Sequence, residues 1–128
     1  GLHGTTYGFY RFAQMMLNKG ELDGVRILSR QAVKLMTTIQ VGEGPEFRNF
    51  FTNNRWGYCV DIQEKEKMNA LNDWYGGKGC YSWRGFWSTL WINDPTDDTV
   101  VMFMSQIPRA GLSWGYKVKN AASAAVID

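Results

Sequence analysis

A serine flanked by glycines, Gly111-Leu112-Ser113-Trp114-Gly115, satisfies the pattern in which a strand-to-helix elbow presents a nucleophile to a carbonyl carbon. That chemistry needs a base, and in this arrangement the histidine follows the serine, whereas the single histidine here, His3, precedes Ser113 by more than a hundred residues. An independent esterase built on Ser113 therefore lacks half its constellation. Gly76-Gly77-Lys78-Gly79 has the composition of a phosphate cradle but leads toward a strand, without the Lys-Ser or Lys-Thr that opens the helix of such a site, and reads as a turn. Cys59 and Cys80 stand 21 residues apart, which matches no short metal-ligand or redox spacing. They read as two small half-buried residues, with a disulfide across neighbouring strands open only in an oxidising compartment. One histidine and two isolated cysteines make a metal site unexpected, and no cofactor motif is present. Asp94, Asp97 and Asp98 cluster where aspartate serves its own backbone in a turn. Trp83, Trp87 and Trp91 recur every four residues, so on one regular strand they would share a face. Such a row reads first as a sheet face packed under helices, and second as a platform for flat ligands such as sugars.

Those groups must be held by elements that the hydrophobic pattern marks out. Phe9, Phe12, Ala13, Met16 and Leu17 fall on one face of a helix that begins after Thr5 or Thr6 and ends near residue 19, with Gly20 as its left-handed stop. Asp23-Gly24 lies between two short apolar-alternating arms and signals a tight hairpin. Ser29 caps a second helix from Arg30 to about Thr38, with Val33 and Met36 inward. Residues 40–54 read as an irregular connection. From Arg55 the period becomes two, and Trp56, Tyr58, Val60 and Ile62 predict one half-buried strand, followed by a solvated turn from Glu64 to Lys67. Runs from Cys80 to Arg84 and from Phe86 to Ile92 predict two strands meeting at Gly85, where a bulge or a close ligand approach is the natural reading. A turn over Asn93 to Asp98 leads to Thr99–Met104, an apolar run expected of a strand covered on both faces. Val118, Ala121, Ala122, Ala125 and Val126 predict a final one-sided helix. The order implies an α+β fold, an antiparallel meander sheet of three to four strands with helices packed on it.

The chain has 128 residues, 45% hydrophobic and 15% aromatic, with 14 Lys and Arg against 12 Asp and Glu, the size of one domain or a piece of one. This composition excludes a disordered tail and a collagen-like repeat. A net charge of +2 with scattered cations gives no basic stripe, so nucleic acid is not an expected partner. No apolar stretch approaches the ~20 residues that a transmembrane helix needs.

Residues 8–38, GFYRFAQMMLNKGELDGVRILSRQAVKLMTT, resemble the helix, hairpin and second helix that precede the last strands in serine beta-lactamase-related hydrolases. Residues 81–95, YSWRGFWSTLWINDP, are similar to that family's third active-site element with its following strand and turn, and residues 99–108 to the next strand. The family spans class C beta-lactamases, penicillin-binding carboxypeptidases and related esterases. Its Ser-x-x-Lys nucleophile and Tyr-x-Asn or Ser-x-Asn element are both missing here: Ser29, Ser82, Ser88, Ser105 and Ser113 lack Lys three positions on. The resemblance thus implies that residues 1–128 are the C-terminal portion of one beta-lactamase/transpeptidase-like domain whose nucleophile lies upstream. It implies a small-molecule ester, amide or lactam as substrate, cleaved through an acyl-enzyme, and a periplasmic or secreted setting. On its own the chain is then expected to be inactive. The site carried over is Trp83, Arg84 and Gly85 for substrate binding, with the Phe86 amide in the oxyanion hole. Trp83 stands where Lys or His is usual, as in esterase-like members, and Arg84 where a small residue or hydroxyl is usual. Arg84 is the candidate charge for a substrate carboxylate. The alternative expectation is a non-catalytic module binding ligands on the tryptophan row.

Overall fold

A computed structural model describes residues 3–47, 54–64, 76–108 and 113–126. Helix α1 spans Thr6–Leu17, and the Thr5 hydroxyl accepts the Gly8 amide at 3.0 Å, satisfying one of the orphan donors of the first turn. Its end is a Schellman closure: the Gly20 amide donates to the Met15 carbonyl (2.8 Å) and the Lys19 amide to the Met16 carbonyl (3.1 Å). Lys19 as well as Gly20 takes positive φ, and Gly20 is required because a Cβ there would collide with the Leu28 carbonyl. Strands β1 (Glu21–Leu22) and β2 (Val25–Arg26) form the expected two-residue hairpin, with φ of 52° at Asp23 and 77° at Gly24. Ser29 caps α2 (Arg30–Met36) through the Ala32 amide at 3.0 Å. A 3-10 turn follows at Pro45–Phe47.

The predicted strand over 55–62 is instead a hairpin of β3 (Arg55–Trp56) and β4 (Asp61–Ile62), paired antiparallel. Tertiary contacts override the local alternation. The last carbonyl of α2, on Met36, takes the Tyr58 amide at 3.0 Å, and Gly57 packs so closely on Met36 and Ile62 that no side chain would fit. The chain then reverses through Cys59, at φ 62°. Glu64, expected in a solvated turn, is only partly exposed and pairs with Arg55 at 3.0 Å; residues 65–67 lie outside the described residues.

Strands β5 (Tyr81–Arg84), β6 (Leu90–Asp94) and β7 (Thr99–Phe103) complete a five-stranded antiparallel sheet in the order β3-β4-β5-β6-β7. The fold is α+β, a meander of one strand more than the upper expectation because the predicted single strand folds into two. Strand β6 begins at Leu90, not Phe86, since residues 85–88 are spent closing a turn, and it runs on through Asp94.

Successive side chains on a strand point to opposite faces, and each face has its own cover. Trp91 and Tyr81 join Ala13, Met16 and Val33 in a core under α1 and α2. Leu90 and Ile92 join Cys80 and Tyr116 in a core under α3 (Ser113–Ala124). The predicted inward stripe of α3 is not the buried one: Val118 and Val126 are exposed, and Gly115, Tyr116 and Lys119 face the sheet. Gly115 lets the helix approach, as a Cβ there would stand 2.7 Å from a Leu90 methyl. Among the described residues no helix is long and apolar enough to cross a membrane.

Candidate functional site

The end of β5 and the turn that follows carry the four residues singled out by resemblance. Ladder pairing sets Trp83 opposite Trp91 and Arg84 opposite Leu90, so Trp83 lies on the α1 side and Arg84 on the α3 side. The β4–β5 ladder stops at Asp61 opposite Ser82, two residues before β5 itself ends. Trp83 is 40% exposed and packs on Trp56, ring centroids 5.1 Å apart. The Arg84 guanidinium lies 5.9 Å from the Trp83 ring centroid and close to the Tyr116 hydroxyl, which burial pushes up to about 12 against the opposing pull of the arginine. Arg84 thus lies beside the Trp83 ring as well as near the Tyr116 hydroxyl of α3.

Gly85 is exposed and closes the turn. Its amide donates to the Thr89 carbonyl (2.9 Å) and its carbonyl accepts the Ser88 amide (3.1 Å). A side chain at Gly85 would strike the Thr89 hydroxyl, so the nearest obstacle that excludes one is the turn's own wall. Phe86, 62% exposed, sets its ring edge-on to Trp87 at 5.7 Å. Two serines tie this turn to the segment after β7: Ser88 donates to the Ile107 carbonyl (2.9 Å) and Ser105 to the Trp87 carbonyl (2.6 Å). These two bonds fix the turn's backbone against the segment that follows β7.

The tryptophan row does not form one platform. Trp83 and Trp91 are cross-strand neighbours, Trp87 sits on the connecting turn, and Trp91, 4% exposed, is enclosed by Phe9, Phe12 and Tyr81. Ser113 is the exposed first residue of α3, and no hydrogen bond joins it to His3 among the described residues. Cys59 is exposed and Cys80 buried, both free. No group of three or more His, Cys, Asp or Glu able to hold a metal ion occurs among the described residues.

Sequence reasoning missed the most buried polar cluster. Asp94, placed in a turn by composition, is the last residue of β6 and lies wholly inside, where Lys119 Nζ reaches its Oδ2 at 2.9 Å and the Ser123 hydroxyl at 2.9 Å. Burial raises the Asp94 pKa, but hydrogen bonds from Cys80 and Lys119 and the lysine's charge outweigh it and hold the carboxyl below its ordinary range. Burial and the neighbouring carboxylate together push the Cys80 thiol up, so it stays protonated and unreactive. The glycine run is part of this arrangement, since the Gly77 amide points at Asp94 Oδ2 from 3.4 Å. The available signal was weak, a lysine four residues before Ser123 in a helix that also carries Lys117 and Asn120.

No family model matches the chain. It is similar to two curated proteins from two strains of Mycobacterium tuberculosis, "Uncharacterized protein MT1414" and "Protein Rv1367c", each 31% identical in an alignment of 112 residues that covers 83% of this chain. The chain spans 28% of the length of each relative. Their names state no activity.

Proposed function

We propose that this chain is the C-terminal part of a beta-lactamase-related serine hydrolase that cleaves a small ester, amide or lactam through an acyl-enzyme. In this reading a serine outside these residues attacks the substrate carbonyl. The backbone of Trp83 to Phe86 forms one wall of the cleft, and the Phe86 amide steadies the oxyanion. One such donor is worth about 2.7–4 kcal/mol in transition-state stabilisation, enough to matter but not to replace a nucleophile. The observation that carries the reading is the exposed Gly85–Thr89 turn, fixed by Ser88 and Ser105 at the end of β5. The order of helix, hairpin, helix and sheet supports it, as does the small share of each relative that the chain spans. The Arg84 guanidinium, 5.9 Å from the Trp83 ring centroid, is in this reading the cation available to a substrate carboxylate beside that ring.

The test is covalent labelling. A fluorophosphonate or fluorescent penicillin should leave the 128-residue chain unlabelled and label a serine upstream of Gly1 in a longer polypeptide that includes it. Labelling of any serine within the chain, or none in the longer polypeptide, overturns the reading.

A further inference from the structure

At the end of β5 opposite the Gly85 turn, the surface between α1 and α2 folds into a groove of about 340 Å³. Its floor is apolar, formed by Met16, Leu17, Val33 and the Tyr81 ring, all buried. Its rim carries Lys19 from the end of α1 with Arg30 and Lys34, one helical turn apart on α2, and no carboxylate lines it. All three cations are exposed, and none belongs to an ion pair among the described residues. The carboxylates of the adjoining hairpin are already engaged, Glu21 by Arg26 and Asp23 by Arg11, and Asp94 behind Pro95 is held by Lys119. Among the described residues, then, these three cations pair with no carboxylate and no carboxylate lines the groove, although Asp97 and Asp98 follow Pro95 in the next turn; the rim presents positive charge to solvent beside an apolar floor.

We propose that the groove binds a small amphiphilic anion, with an apolar body on Met16, Leu17, Val33 and Tyr81 and a carboxylate or phosphate head at Arg30, Lys34 and Lys19. The arginine suits either head because its planar fork matches two oxygens at once. The volume lies at the small end of the roughly 300–1,000 Å³ of ligand sites, which limits the apolar body to a medium-length chain or a single ring. This site is separate from the turn proposed above and does not depend on it.

Calorimetric titration of the 128-residue chain tests it, using decanoate and decyl phosphate below their micelle-forming concentrations. Decyltrimethylammonium, decyl glucoside and inorganic phosphate serve as comparisons. The expected result is saturable one-to-one binding of at least one anionic amphiphile, about tenfold or more tighter than any comparison compound. The stronger of the two anions identifies the head group. Arg30→Glu with Lys34→Glu should weaken that binding at least ~10-fold with unchanged circular dichroism, and Arg30→Gln with Lys34→Gln is the milder pair should the reversal disturb α2. No saturable binding of either anion, equal binding of the cationic or neutral amphiphile, inorganic phosphate binding as well as decyl phosphate, or full binding by the charge variants each overturns the proposal.

Discussion

On the α1 side of the sheet, Trp91 is enclosed by Phe9, Phe12 and Tyr81, and its indole N–H donates to the Asn93 side chain at 2.7 Å. On the α3 side, the strand that carries Trp91 ends in Asp94, whose carboxylate meets Lys119 with both side chains wholly out of solvent. The first face is held mainly by apolar and ring contacts, which are non-directional and degrade gradually when trimmed. The second adds to its own apolar core of Cys80, Leu90, Ile92 and Tyr116 a charge pair that is tolerable inside only while both members are present. Asn93 bridges the two styles, as a neutral group with every partner nearby: it reaches the Ala13 carbonyl and the Tyr81 hydroxyl, both at 2.8 Å.

The contrast is broken most directly by removing one charge. Lys119→Ala should cost about 3–5 kcal/mol by urea denaturation, because Asp94 is left ionised and buried. Adding Asp94→Asn in a Lys119→Met background should recover about half or more of that loss. Trp91→Ala, on the other face, should cost a similar ~3–5 kcal/mol, and no neighbouring change of charge should rescue it. Recovery failing in the first pair would mean that α3 is held by packing alone.

Acid sharpens the difference with a smaller effect. The Asp94 carboxyl titrates below its unfolded value of about 3.9. Its contribution to stability is thus fully present above that value and is lost as pH falls through the folded pKa. Denaturation midpoints measured from pH 5 down to pH 2 should fall, and the Asp94→Asn/Lys119→Met double variant should fall less steeply. Identical slopes would remove the pair from the account.

The smallest expected effect tests the helix that shapes the groove. Ser29→Ala removes the cap on a helix of seven residues whose one buried side chain is Val33, and should cost about 1 kcal/mol in thermal or urea unfolding. The α3-side pH dependence should be unchanged by it.

Legibility in the sequence followed how local the cause was. The Thr5 and Ser29 caps, the Gly20 stop and the Asp23-Gly24 hairpin were readable because each is a bargain struck among residues a few positions apart. The strand over 55–62 was misread because a carbonyl on α2 and the tight seat of Gly57 break it, and neither is encoded in the alternation of Trp56, Tyr58, Val60 and Ile62. The α3 stripe failed for a related reason: alanines and valines are at home on either side of a short helix, while Tyr116 and Lys119 each have a particular partner across the sheet. Of the candidate site, the types and order of Trp83, Arg84, Gly85 and Phe86 were legible. Their division between faces and the serine ties on the turn were not.

The linear order of residues thus determined the helices, the first hairpin and their caps, since caps, turns and periodicity are settled within a few peptide units. Only the tertiary structure decided which face of α3 is buried, that Asp94 is an interior ion rather than a turn residue, and that Trp83 and Trp91 meet across two strands. Those outcomes depend on what lies opposite in space, and a charge or a ring acquires its energy from that neighbour.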